Sequence, residues 1–210
     1  MTLKRQMQGF IAPLILATAV TSVAAHAEII DRILAVVNGA VIMQSDVTMS
    51  VRLGMAPSSA GPDLMAVPLD ALIERRLVLE EVDRYAPPDP VDADVDRRLA
   101  EIRARAGSAF DVILRESGIS VEQLRRQVRD DLRIDAYLLQ RFGAMQPSDD
   151  DVQQYYRDHQ ASFMRNGTPR PLDEVREVVR AELMANQRAT MIKDWTAGLR
   201  RRATINVLPR

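Results

Sequence analysis

Two runs of aliphatic and β-branched residues, Ile33-Leu34-Ala35-Val36-Val37 and Ala40-Val41-Ile42-Met43, are joined only by Asn38-Gly39. A two-residue link of that composition is a type I′ hairpin turn, because both central positions need positive φ and Asn and Gly tolerate it best. A two-stranded ribbon alone is marginal in water, so this hairpin needs a further strand or a helix to cover it. The other segment with strand-like alternation is Thr204-Ile205-Asn206-Val207-Leu208, near the opposite end of the chain. The sequence therefore predicts a mainly α, multi-helix fold in which an N-terminal β-hairpin is joined by a C-terminal strand that fastens the two ends together.

Helical patterns fill the interval. Ser45 is placed to cap a helix running toward Leu53, with Asp46 favourable in its first turn. Pro68 suits a first helical position ahead of Leu69, Leu72, Ile73 and Leu77, and Pro87-Pro88 stops that helix. Pro90 opens the next, with a stripe of Val91, Val95, Leu99, Ile102 and Ala106 ending at Gly107. Ser108 is expected to cap a short helix through Leu114, closed by Gly118. Ser120 and Gln123 have capping-box spacing, and Ile119 can staple to Leu124. Ser148 starts a helix that should carry Val152, Tyr155, Tyr156, His159 and Phe163 inward. After the turn residues Asn166-Gly167-Thr168-Pro169, Pro171 begins the longest helix. Its first turn holds Asp173 and Glu174 and its last Arg200-Arg201-Arg202, so both ends complement the helix dipole.

The first residues have a different character. Lys4 and Arg5 precede an apolar run from Phe10 to Val23, and Ala25-His26-Ala27 follows before Glu28. These are the three parts of a secretory signal peptide. The run is shorter than the roughly 20 apolar residues of a spanning helix, and Pro13 interrupts it. Residues 1–27 are thus expected to be removed between Ala27 and Glu28, leaving residues 28–210 as one domain in the periplasm with no stable membrane insertion. Removing Lys4 and Arg5 from 28 basic groups leaves 26 against 29 acidic ones. That balance argues against nucleic acid as a partner. The chain has no cysteine and only 4% aromatic residues. Its stability must come from packing Leu, Val, Ile, Ala and Met rather than from disulfides.

No catalytic residues stand out. Once His26 leaves, His159 is the one histidine, and the missing cysteines exclude a Cys/His dyad or thiolate metal site. No Gly-rich phosphate loop is present, and no cofactor or metal is implied. The carboxylates fall at helix starts or at i,i+4 from arginines, as in Asp94–Arg98, Glu101–Arg105 and Glu122–Arg126, where they read as solvated pairs. Arg200-Arg201-Arg202 reads as a dipole-matched helix end. Met49, Leu53, Met55, Leu64 and Met65 are the candidate binding residues. They flank or lie within a segment rich in Pro, Gly and Ser, and flexible thioether chains suit an adaptable surface. Burial in the core is the competing explanation.

Several segments together resemble the SurA-type periplasmic chaperones and their parvulin-linked relatives. Ile33 to Val47, including Val37-Asn38-Gly39 and Ser45-Asp46, is similar to the family's opening hairpin and helix start. Leu69-Asp70-Ala71-Leu72-Ile73-Glu74-Arg75-Arg76-Leu77-Val78 resembles its next helix, and Tyr155-Tyr156 with Phe163 a later one. Pro171-Leu172-Asp173-Glu174-Val175-Arg176 resembles the start of its last helix, and the strand near Ile205 its returning strand. The resemblance implies a holdase for unfolded polypeptide, typically outer-membrane β-barrel precursors, and leaves the oligomeric state open. Relatives usually insert parvulin prolyl-isomerase domains before the last helix and commonly use paired histidines there. Here only Met164 to Arg170 separates Phe163 from Pro171. The expected function is binding without turnover. A prolyl isomerase by homology and a dedicated envelope-assembly adaptor are the alternatives.

The intact mass of the protein recovered from the periplasm should correspond to residues 28–210. A full-length species in the membrane fraction would refute the processing site.

Overall fold

The structure is a computed structural model, and it describes residues 31–59, 63–144, 146–165 and 167–209. The expected signal peptide and its Ala27–Glu28 cleavage site lie outside these residues.

Strands β1 (Ile33–Val37) and β2 (Ala40–Met43) form the predicted hairpin, with Val37 opposite Ala40. Asn38 and Gly39 take φ of 48° and 89°, as a type I′ turn requires. The last strand, β5 (Ile205–Val207), lies antiparallel against β1 and completes a sheet of order β2-β1-β5. Asn38 joins the two ends directly. Its backbone N–H donates to the Thr204 carbonyl at 2.9 Å, and its Oδ1 accepts from the Thr204 N–H at 2.8 Å. Its Nδ2 donates to Glu80 at 2.6 Å. Lower on the strand, the Leu208 N–H donates to the Leu34 carbonyl at 2.9 Å.

Seven α-helices are described. They are α1 (Gln44–Arg52), α2 (Ala66–Tyr85), α3 (Asp92–Ala106), α4 (Phe110–Ser117), α5 (Val121–Phe142), α6 (Asp149–Asp158) and α7 (Leu172–Arg202). Short 3-10 turns lead into α4 and out of α6, and a small hairpin, β3 (Met164–Arg165) with β4 (Thr168–Pro169), precedes α7. The capping box expected at Ser120 forms, and a second one is found at the Ser148 helix start. Ser120 Oγ accepts from the Gln123 N–H while Gln123 accepts from the Ser120 N–H, and Ser148 and Asp151 repeat the arrangement.

Other starts differ from expectation. Helix α1 begins one residue before Ser45, and Ser45 is not its cap. Its backbone N–H donates 3.1 Å to Asp31, its hydroxyl also bonds that carboxylate, and Asp46 accepts from the Met43 N–H at 2.9 Å. Asp31, distant in sequence, thus supplies the oxygen that Ser45 was expected to supply. Helix α2 begins at Ala66, so Pro68 is its third residue, and Ser108 lies in a 3-10 turn without a capping bond.

Three buried clusters organise the helices. The first packs the sheet (Ala35, Val37, Ile42) on α2 (Ile73, Val82), Tyr137 of α5 and Leu199 of α7. The second joins α1, α3, α4 and the first half of α5 around Met49, Leu53, Val95, Phe110 and Leu124, with Ile119 packed against it as a staple. The third holds Val152 and Phe163 against Val175, Val179 and Leu183 of α7. Helix α7 therefore runs from the third cluster to the first. The pairs expected at i,i+4 form differently. Asp94 pairs with Arg97 at 2.7 Å, Arg98 turns to Glu101 and to Asp135 of α5, and Arg105 donates to the Gly54 carbonyl at 2.8 Å. Between-helix pairs also link Asp92 to Arg125 and Arg129, and hydrogen bonds from these arginines hold the Asp92 carboxyl below its ordinary range.

Removing residues 204–210 should lower stability by about 1–3 kcal/mol, several degrees of melting temperature. Asn38→Ala should cost a similar amount, since it loses two side-chain bonds while keeping a positive φ that alanine disfavours by about 1–2 kcal/mol. Thermal melts in which both variants match the unaltered protein would show that the end-to-end closure is not a stabilising feature.

Candidate functional site

The five sequence candidates separate in the structure. Met49 and Leu53 are 0% and 1% exposed, at the centre of the second cluster. They face α3, α4 and α5 because α1 turns its apolar side inward, so neither can touch a bound chain directly. That corrects the expectation that they belong to a binding surface. Met65 is half-buried against the first cluster, and Leu64 beside it is 67% exposed. Met55 has a different position. Its N–H and that of Ala56 both donate to the Ser50 carbonyl, at 2.7 and 3.1 Å, so the chain leaving α1 is folded back and holds Met55 half-buried at the edge of a cleft.

That cleft has a volume of about 440 Å³ and lies between the end of α1 and helices α2, α3, α5 and α7. Leu72, Ile102, Ile134 and Ile192 give it an apolar lining, with Thr196 at the α7 side. Charged side chains ring it in closed pairs. Arg75 Nε lies 2.5 Å from Asp131 while its Nη2 donates to the Gln127 carbonyl at 3.1 Å, and Arg98 lies 3.5 Å from Asp135. Gly54, at φ 67°, contributes the carbonyl that Arg105 binds, and a Cβ there would sit 2.8 Å from the Arg105 guanidinium. The positive φ favours glycine where the wall turns, and a larger residue would also displace the Arg105 guanidinium. Sequence reasoning found Met55 but missed the lining and the arginines. Leu72 and Ile102 were visible only as members of helical stripes, and nothing local specifies which helices meet.

Burial pushes the Asp131 carboxyl up, and the neighbouring Asp135 and Asp130 add to this, while Arg75 opposes it without cancelling it. Asp46, bonded to the Met43 N–H outside the cleft, is also raised by burial. His159 is exposed, contrary to the inward position expected of it. Helix α6 ends at Asp158, so His159 falls at the cap, stacked on Tyr155 at 4.0 Å between centroids. Among the described residues no group of three His, Cys, Asp or Glu could hold a metal ion, and no helix is long and apolar enough to cross a membrane. The cleft can accept apolar side chains against aliphatic walls and offer paired charges to a passing backbone. It brings no nucleophile and base together.

No sequence family matches the chain, and no curated protein does. A solved structure matches it over 85% of this chain and 99% of the other, with TM-score 0.54 at 15% identity. It comes from work describing the virulence factor PEB4 and the periplasmic protein Cj1289 as two structurally related SurA-like chaperones of Campylobacter jejuni. The fold is thus SurA-like: mainly helical, with the small antiparallel sheet that closes the two ends.

The folded state binds the Asp131 proton more tightly than the unfolded chain does, so this group's contribution is present below about pH 3.8 and is lost as pH rises through its raised value. Asp131→Asn removes that dependence and leaves Asp46, Asp92 and Asp149 unchanged. Urea melts should show the variant gaining on the unaltered protein as pH rises above about 3.8 and through the raised Asp131 value. A stability difference independent of pH would show that Asp131 titrates as an ordinary surface carboxylate.

Proposed function

We propose that residues 28–210 form a periplasmic, ATP-independent holdase that binds unfolded outer-membrane or other envelope proteins without prolyl isomerase activity. The observation that carries this reading is the cleft edged by Met55: aliphatic walls, ion pairs already closed, and no reactive constellation. Such a surface takes apolar side chains of many shapes, because aliphatic and thioether groups repack against them at little cost. Affinity on the micromolar scale, about −8 kcal/mol, is what broad and reversible holding requires. The SurA-like fold supports the same reading, and the chaperones described with it supply its physiological setting. The isomerase alternative is weakened by the β3–β4 hairpin, which occupies the place where the resemblance expects an inserted domain. The adaptor alternative predicts one partner, whereas a holdase suppresses aggregation broadly.

Met55→Ser with Ile192→Ser should reduce suppression of aggregation of a denatured β-barrel protein severalfold. Both side chains are half-buried, so melting should fall by much less than the about 2–5 kcal/mol of a truncated core residue. A prolyl test peptide should relax at its uncatalysed rate, tens to hundreds of seconds, with or without the protein. Unchanged suppression in the double variant would move the client site elsewhere. Catalysis that disappears in His159→Ala would replace the holdase with an enzyme.

A further inference from the structure

Helix α7 buries residues as far as Leu183 and then fully buries none until Thr196. Between those points it spans from the third cluster to the first, and an unpacked helix side is ordinarily polar. This one is not. Ala181, Met184, Ala185 and Met191 keep helical spacing on a single side and, with Phe142 at the end of α5, line a groove of about 240 Å³. Met184, Met191 and Phe142 are half-buried, and both alanines are exposed. Small residues there let another chain approach the helix closely.

Among the described residues that line this groove, the charged one is a cation. Arg188 lines it. Arg141 does not line it but lies next to Phe142, which does, with its guanidinium 5.6 Å from the Phe142 ring and 5.3 Å from that of Trp195, and one bond of 3.4 Å to the Tyr137 hydroxyl. Among the described residues neither arginine has a carboxylate within ion-pair distance. On the same two helices Arg180 is paired with Asp149, Arg200 with Asp70 and Arg133 with Asp83. The acidic residues of this stretch, Glu182 and Asp194, do not line the groove. An apolar groove flanked by two unanswered cations complements a chain segment whose apolar side chains alternate with carboxylates.

We propose that this groove is a second contact site for unfolded polypeptide, selective for apolar segments that carry Asp or Glu. The proposal rests on the chaperone reading but uses different residues, so the two fail separately. The probe is a short fluorescent Leu/Phe peptide carrying Asp, compared with a twin carrying Lys at the same positions. The full chain should bind the acidic peptide roughly three- to tenfold tighter. The preference should shrink as added salt shortens the screening length below about 8 Å. It should vanish in Arg141→Gln/Arg188→Gln and in Arg188→Glu. The second variant guards against misfolding, since Arg188 is exposed and makes no ion pair among the described residues. Met55→Ser should retain it. A preference that survives both arginine variants overturns the proposal, as does the absence of any preference in a protein that still suppresses aggregation. Loss of suppression and of peptide binding together overturns the chaperone reading and the groove with it. If Arg188→Glu abolishes binding to phosphatidylglycerol vesicles while peptide binding is unchanged, the groove serves a lipid surface instead.

Discussion

The pairing of β5 with β1, locked by Asn38, is the constraint on which the rest of the structure depends. Strand β1 is central only because the far end of the chain returns to it. Without that return the hairpin would present Ala35 and Val37, now fully buried, at an open edge. The same closure fixes the end of α7, since Thr204 follows its last turn almost directly. Leu199 and Trp195 are thereby delivered to α2 and Tyr137, and the first cluster becomes one body built from both ends of the sequence. Closing so long a loop costs entropy that rises only slowly with its length. A few well-placed backbone bonds and a buried apolar face are sufficient to offset it.

With α7 anchored at its C-terminal end, its N-terminal half becomes a rigid arm for the third cluster. Arg180 donates to Asp149 at 2.8 Å and to the Pro147 carbonyl at 3.2 Å, tying the start of α6 to the arm. Tyr156 donates from its hydroxyl to the Arg170 carbonyl at 2.5 Å, closing the chain between α6 and α7. The stretch of α7 between the two clusters is held at both ends and has no fully buried side chain along it. Its exposure follows from the architecture, and its Met and Ala content is a choice of sequence that the architecture does not require.

What could be read from the sequence was what is decided locally. The Asn38-Gly39 turn, the Ser120–Gln123 box, the helix start at Ser148, and the acidic start and basic finish of α7 each depend on residues a few positions apart. The returning strand was legible because alternation occurs in so few places. Contacts made across helices were not legible. Ser45 finds Asp31 rather than capping its own helix, and Arg98 prefers Asp135 to Asp94. Met49, Leu53 and Met55 look equivalent in sequence, yet one turn of α1 separates full burial from the edge of the cleft. Leu139 and Tyr137 show the same limit: both lie on α5, and the neighbouring α7 decides that Tyr137 is buried while Leu139 is 59% exposed.

The way charge is handled separates the two apolar surfaces physically. Around the cleft every rim arginine is already satisfied, Arg75 by Asp131, Arg98 by Asp135 and Arg105 by the Gly54 carbonyl. The exposed Arg98–Asp135 pair contributes little to stability, up to about 1 kcal/mol, and the gain from the partly buried Arg75–Asp131 pair is opposed by desolvation of the carboxylate. They do impose an order on the helices, because α2, α3 and α5 must meet in one register for all of them to form. A chain entering the cleft meets walls that stay neutral overall and gains chiefly from apolar burial, so that surface discriminates weakly. At the groove on α7, Arg141 and Arg188 retain their charge for whatever docks. On the function proposed, the cleft would be the indifferent surface and the groove the selective one, and the difference lies in whether partners within the chain have already answered the arginines.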